Sequence, residues 1–294
     1  MSGDILLLGG TGLLGRAVAA ELTRRRRAFA APARNEFDLQ DVAAIPARLE
    51  ALHPAAVLNT SGFTDVAAAE RPENNEAATL LNADVPAALA AACERFAIPF
   101  VHVSTDYVFD GAKAAPYREG DPVHPLQHYG ATKLEGERAA IANAPRVLIL
   151  RVSTLYGPDR AHRPAYVDAI LAQARAYAAA GGGALSVVER PVSSPTYAPD
   201  VAPVLLDLLD RGASGIVHTV NDGAASRLEL ARATVALAGL SYRVEVGVRP
   251  EPPNTLARPA YSVLDTAKLM TLLGRKLPAW EDGLARYLQR LTNN

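Results

Sequence analysis

The chain has 294 residues, 49% of them hydrophobic, enough apolar material for one large core or two modest ones. Thirty Lys and Arg balance 31 Asp and Glu at a net charge of −1, which argues against nucleic acid or an anionic membrane as partner. One cysteine, Cys93, excludes an internal disulfide framework and a cysteine metal cluster, and six histidines without ligand spacing give no metal site.

The first apolar run, Ile5–Leu8, has the length of a buried strand. It leads through Gly9-Gly10-Thr11-Gly12-Leu13-Leu14-Gly15 into a helical stretch from Arg16 to Leu22. Strand, glycine-rich turn and helix in that order form a phosphate cradle. Gly9 permits the tight turn, Gly12 admits a pyrophosphate to the backbone, and Gly15 lets the helix pack on the sheet. The spacing is GxxGxxG, and Thr11, Leu13 and Leu14 lie inside the cofactor turn. Four arginines, Arg24 to Arg27, end the helix, where cations complement its dipole. Residues 28–33 read as a second strand, followed by Arg34 where an NAD site would carry an acid. An arginine there suits a 2′-phosphate, so NADPH is favoured and NADH is left open.

Apolar runs recur at 55–58, 100–103 and 147–152, with helical stretches at 42–52, 75–96 and 129–143. This alternation predicts an α/β, doubly wound parallel sheet, Rossmann-like, with a smaller, mostly C-terminal substrate domain. Residues 1–160 form the dinucleotide-binding domain, joined by 193–222; residues 161–192 and 223–294 form the substrate domain. Gly- and Pro-rich breaks at 157–164, 181–183 and 250–253 mark the less regular half. Ligands bind such sheets beyond the carboxyl ends of the strands, which here carry the glycine turn, Asn59-Thr60-Ser61, Ser104-Thr105-Asp106-Tyr107 and Ser153-Thr154. With no apolar stretch of about eighteen residues and no signal-like segment ahead of the first strand, a cytoplasmic protein is expected.

Tyr129 and Lys133 are four residues apart, one helical turn on the same face. An ammonium beside a phenol favours the phenolate, so Lys133 is expected to lower the pKa of Tyr129 while holding a nicotinamide ribose. Tyr129 would then be the proton donor to an alkoxide formed by hydride transfer. Thr105 sits where its hydroxyl reaches the same oxygen, whereas Ser104 points to the opposite face of the strand. A local hydroxyl-to-backbone bond is the bland alternative for Thr105, and turn capping for Asp106.

The glycine turn, the Tyr129/Lys133 pair and the upstream threonine resemble the extended short-chain dehydrogenase/reductase superfamily. Within it the chain is similar to the dTDP-4-dehydrorhamnose reductases, through Ser104-Thr105-Asp106-Tyr107-Val108-Phe109-Asp110-Gly111, Tyr129-Gly130-Ala131-Thr132-Lys133, Pro195-Thr196 and Ala257-Arg258-Pro259 with Ser262. The resemblance implies NADPH-dependent reduction of the 4-keto group of a nucleotide-linked 6-deoxyhexose. It implies Tyr129, Lys133 and Thr105 as catalytic residues. It also implies Asp38, Leu39 and the loop Asn59, Thr60, Ser61 as cofactor contacts. Val66, Thr105, Asp106, Tyr107, Thr154, Pro195, Arg258 and Ser262 fall on the substrate side. A homodimer is left open.

Departures from the family pattern also fall on that side: Ala67 for an aspartate, Thr154 for a tryptophan and Arg190 for an acid. They leave the choice of sugar open. An epimerase or dehydratase with a retained NAD is one alternative. A non-catalytic NADP-binding subunit, similar to the β subunit of methionine adenosyltransferase, is another.

Overall fold

Side chains alternate across each central strand, and both faces of those strands are buried, so each must be roofed by helices. The computed structural model describes residues 3–158, 164–252 and 255–292. In chain order the first half runs β1 (Ile5–Leu8), α1 (Leu13–Arg24), β2 (Phe29–Ala30), α2 (Ile45–Leu52), β3 (Ala56–Asn59), α3 (Val66–Ala69), α4 (Asn75–Thr79), α5 (Val85–Arg95), β4 (Phe100–Thr105), α6 (His128–Asn143) and β5 (Leu148–Val152). The second runs β6 (Leu155–Tyr156), α7 (Tyr166–Ala179), β7 (Gly183–Val187), β8 (Val192–Ser193), β9 (Thr196–Tyr197), α8 (Ala198–Asp210), β10 (Gly215–His218), β11 (Ala225–Ser226), α9 (Arg227–Leu237), β12 (Val244–Val248), α10 (Ala267–Leu273) and α11 (Trp280–Thr292).

Among the described residues, six strands pair in parallel in the order β10-β5-β4-β3-β1-β2. The fold is the expected doubly wound α/β sheet. Strand order reverses between β1 and β3, which puts the ligand crevice beyond their carboxyl ends. Ile5, Leu7, Leu58, Val101 and Leu150 face α1, α8 and α10 in one core. Leu6, Leu8, Val57, Phe100 and Ile149 face α2 and α5 in the other. Cys93 lies in this second core, where burial pushes its thiol up to about 12, so it is a packing group.

Several elements differ from their sequence expectation. The second strand shrinks to two residues. The helix expected over 75–96 is interrupted at Leu80–Asp84 by a π turn. Pro86 offers no N–H to the Asn82 carbonyl four residues back, and the helix widens there. Gly136 of α6 packs directly on that carbonyl, where a Cβ would collide. β4 runs on to Thr105, two residues beyond the apolar run.

The smaller lobe carries α7, α9 and α11 with the parallel pair β7–β12. Leu269, Leu273 and Leu277, which the sequence reading assigned to this lobe, pack in the first core of the main sheet. The boundary expected at 160/161 lies outside the described residues, as does Pro253 of the break at 250–253. Among the described residues no helix is long and apolar enough to cross a membrane.

Candidate active site

Four strand ends meet at the crevice, and glycine shapes the first. Gly9 stands at φ +79°, and a Cβ on it would approach the Ser61 amide to 2.6 Å. A Cβ on Gly15 would collide with the Gly9 carbonyl, so only glycine lets α1 start against this turn. Gly12 is the N-cap of α1 and supplies no capping side chain, leaving first-turn N–H groups available to an anion. The turn therefore fits a dinucleotide phosphate. Thr11 and Gly12 are exposed, while Leu14 is buried in the core, so any contact it makes to a cofactor is through its backbone.

Arg34 is exposed in the turn after β2. The Asp38 carboxylate accepts from the Gln40 amide at 2.9 Å, and half-buried Leu39 packs on the second core. Asn59 is fully buried: its Oδ1 accepts from Ser61 N and Oγ, and its Nδ2 lies 3.2 Å from His102 Nδ1. Thr60 Oγ1 donates to the Leu8 carbonyl. The side chain of Asn59, expected as a cofactor contact, is bonded into the loop beside Gly9.

Tyr129 lies in the first turn of α6, whose amides at His128 and Tyr129 donate to the two carboxylate oxygens of Glu70, each at 3.1 Å. Glu70 thus caps the helix in place of its own N-cap Gln127, with its charge at the positive end of the dipole. The phenol is buried beside the Thr105 hydroxyl, with Tyr107 edge-on at 5.8 Å.

The expected lysine-lowered phenol is not what this geometry gives. Burial, with the Asp106 and Tyr107 charges behind it, pushes Tyr129 above its ordinary value near 10. Lys133 points elsewhere: its Nζ donates to the Val103 carbonyl at 2.6 Å and lies 3.5 Å from His102 Nε2. Burial lowers the Lys133 ammonium to about 8, and the Glu137 charge opposes that shift. Burial and the Lys133 charge hold His102 well below its usual range.

Asp106 is 3% exposed. Its Oδ2 accepts from Ser153 Oγ at 2.8 Å and Ser262 Oγ at 2.5 Å, and its Oδ1 from Thr105 Oγ1 at 3.2 Å. Burial raises its pKa, and the three hydroxyls oppose that rise. Asp106 and Ser262, expected on the substrate, are turned toward each other.

On the outer side, Val66 packs with Tyr107 and Phe63 around Tyr129. Thr154 stands at φ +42°, a region β-branched residues rarely adopt, with its hydroxyl 2.8 Å from Ser193 Oγ. Pro195 is buried beside Thr196, which pairs with β6. Arg227 stands beside Tyr107, and its guanidinium lies 4.2 Å from the Tyr166 ring centre. Burial lowers the Arg227 pKa, Tyr107 raises it, and the neighbouring Arg258 charge lowers it further. Arg258 Nε is buried without a partner. Two guanidiniums here repel each other, and neither has a carboxylate ion pair among the described residues, the arrangement of an anion site.

Arg227 escaped the sequence reading, yet a signal was present. Ser226 and Glu229 form a capping box, so Arg227 is a cation at the positive end of a helix. Glu70, Asn82 and His102 also escaped it. The Asn82 side chain bonds both Phe63 N and Phe63 O, and also the Thr132 hydroxyl. Among the described residues no three His, Cys, Asp or Glu side chains are grouped to hold a metal.

A family model, the RmlD substrate binding domain, matches residues 3–293. A dTDP-4-dehydrorhamnose reductase of Mycobacterium tuberculosis is 33% identical, over 99% of this chain and 94% of that one. A dTDP-4-keto-6-deoxy-D-glucose reductase of Streptomyces niveus is 34% identical, over 88% of this chain and 87% of that one. The solved structure of a dTDP-4-dehydrorhamnose reductase from Bacillus anthracis, in complex with NADP, superposes with a TM-score of 0.89 at 25% identity, covering 99% and 100% of the two chains.

Proposed function

The chain belongs to the RmlD substrate binding domain family, and from that premise we propose that it is an NADPH-dependent 4-ketoreductase of a nucleotide-linked 6-deoxyhexose. The substrate class is dTDP-4-dehydro-L-rhamnose or a related dTDP-deoxysugar. The names of the relatives support the substrate class, and the NADP in the Bacillus anthracis structure supports the cofactor. The observation that carries the reading is the Tyr129 phenol, buried beside Thr105 and one helical turn from Lys133, at a switch point with an open phosphate turn.

The N–H groups of the α1 first turn hold the cofactor diphosphate, and Arg34 meets the 2′-phosphate. NADPH, when bound, supplies the hydride. Tyr129 gives its proton to the oxygen that was the ketone, and its raised pKa keeps that proton in place at neutral pH. Lys133, anchored to β4 through the Val103 carbonyl, presents an ammonium that would hold the cofactor's ribose hydroxyls. Arg227 and Arg258 take the substrate diphosphate. A cytoplasmic homodimer belongs to this reading, and sedimentation of the purified chain tests the dimer.

The deciding measurement is NADPH oxidation against a panel of dTDP-4-keto-6-deoxyhexoses. Tyr129→Phe should lower kcat by at least about a hundredfold and leave the NADPH Kd unchanged. Normal turnover in that variant would remove Tyr129 as the proton donor.

A further inference from the structure

His102 is fully buried on β4, and each of its ring nitrogens faces a polar neighbour. Nδ1 lies 3.2 Å from Asn59 Nδ2, and Nε2 lies 3.5 Å from Lys133 Nζ. The Asn59 amide decides which nitrogen carries the proton. Its Oδ1 accepts from the Ser61 backbone N–H at 3.1 Å, and a backbone N–H can only donate. The amide therefore cannot turn over, and the atom facing His102 is the donor Nδ2. His102 Nδ1 must accept. The ring is neutral, since burial and the Lys133 charge hold it well below its usual range. Its single proton then sits on Nε2, aimed at Lys133.

A primary amine has a lone pair to receive that proton, and an ammonium has none. Lys133 Nζ also donates to the Val103 carbonyl at 2.6 Å, which either form can do. We propose that His102 is a positioning residue, locked by Asn59 as the Nε2–H tautomer, that donates to Lys133 Nζ and so favours the amine over the ammonium. The donors run in one direction, from Ser61 through Asn59 and His102 to Lys133 and on to Val103. Ser61 N is also the atom that a Cβ on Gly9 would strike, so one polar chain joins the phosphate turn to the lysine. The consequence for cofactor binding rests on the reductase reading above.

The surroundings of Lys133 leave this role to His102. Among the described residues the charge that reaches Lys133 is Glu137, which favours the ammonium and is itself paired with Arg151. Tyr129, a turn earlier on α6, is a neutral phenol. The loop after β3 brings Gly62, where a Cβ would stand 3.8 Å from Nζ, and the Asn82 amide beside it is engaged with Phe63 and Thr132. Burial and the His102 donor act in the same direction on the ammonium, which is lowered to about 8.

The first test needs no substitution to alter the site. The other fully buried histidine among the described residues, His218, has Nδ1 3.1 Å from the Asp265 carbonyl, which fixes the opposite, Nδ1–H tautomer. Proton–nitrogen correlation spectra of the isotope-labelled protein without cofactor should show His102 and His218 as neutral rings of opposite tautomer between about pH 6 and 9. Loss of one ring in His102→Phe or in His218→Phe assigns them. An Nδ1–H tautomer at His102, or an imidazolium there, would overturn the proposal.

The second test reads the consequence for binding. In the wild type the NADPH Kd, followed by nucleotide fluorescence, should rise above about pH 8 as Lys133 loses its charge. His102→Phe keeps a ring and removes the donor, so the ammonium survives to higher pH. The rise should move up by about one pH unit, and from pH 7 to pH 9 the variant should gain about fivefold in NADPH affinity relative to the wild type. An unmoved rise in the folded variant would overturn the proposal, as would a Kd changed by the same factor at every pH, the mark of a merely structural ring. A wild-type Kd indifferent to pH is a different result: it removes Lys133 from the ribose and sinks that part of the reductase reading, while the spectra decide for or against His102.

Discussion

Helices α8 and α6 cover opposite faces of one sheet, and each has eight buried residues. In α8 seven of the eight are Ala, Val or Leu. In α6 they include Tyr129, Thr132, Lys133 and Glu137. The strands beneath differ in the same sense. Leu58, Val101 and Leu150 look toward α8, while Asn59, His102 and Arg151 look toward α6. A face filled with hydrocarbon is held by area and shape, and tolerates exchange of similar volumes. A face filled with paired polar groups is held by direction, and loses most when one partner goes.

The sharpest test is the buried pair that Glu137 makes with Arg151, bidentate at 2.8 and 2.6 Å with both side chains at most 2% exposed. Glu137→Ala strands a guanidinium in the core and should cost roughly 3–5 kcal/mol in a urea titration. Replacing both partners together, Glu137→Met with Arg151→Leu, should recover most of that loss. On the other face Leu205→Ala should cost about 2–4 kcal/mol by the same titration, with kcat unchanged in the folded protein. A change in kcat there would break the division between the two faces.

Lys133 sharpens the contrast, because its effects on stability and on activity run in opposite directions. Its folded pKa, about 8, lies below its unfolded value near 10.5. The folded state therefore binds fewer protons than the unfolded one between those values. The burial penalty is complete below pH 8 and is relieved as pH rises toward 10.5. Lys133→Met should raise stability at pH 7 by roughly 1–3 kcal/mol, after losing the bond to Val103 O, and abolish reduction. That advantage should shrink by pH 10, and denaturant midpoints at the two pH values check it. The smallest effect is at Thr154. Thr154→Asn suits a positive φ and should gain about 0.5–1 kcal/mol. A lower midpoint would mean that the bond to Ser193 outweighs the strain.

This division also explains what could be read in advance. The apolar runs ahead of each strand end made the sheet legible, and the glycines and the Tyr129/Lys133 spacing made the crevice legible. His102 and Arg151 were hidden because each sits inside a run that reads as hydrophobic. Only the two-residue period of a strand assigns them to one face. The phenol pKa was misjudged because spacing on a helix gives neither burial nor where an ammonium turns once a carbonyl is nearby. Arg227 was missed although a capping box flanked it. Asn82 was missed because a π turn brings it to Phe63, and no periodicity announces that.

The return of Leu269, Leu273 and Leu277 to the first core has a consequence for the order of synthesis. Residues 1–160 leave the ribosome with Leu150, Val152 and the α1 side chains still lacking α8, β10 and α10 to cover them. The first core of the main sheet can finish only after residue 277 has been made. Folding of the main sheet thus waits on residues 269–277, and a fragment ending at 210 should be recovered as aggregate rather than as a folded domain.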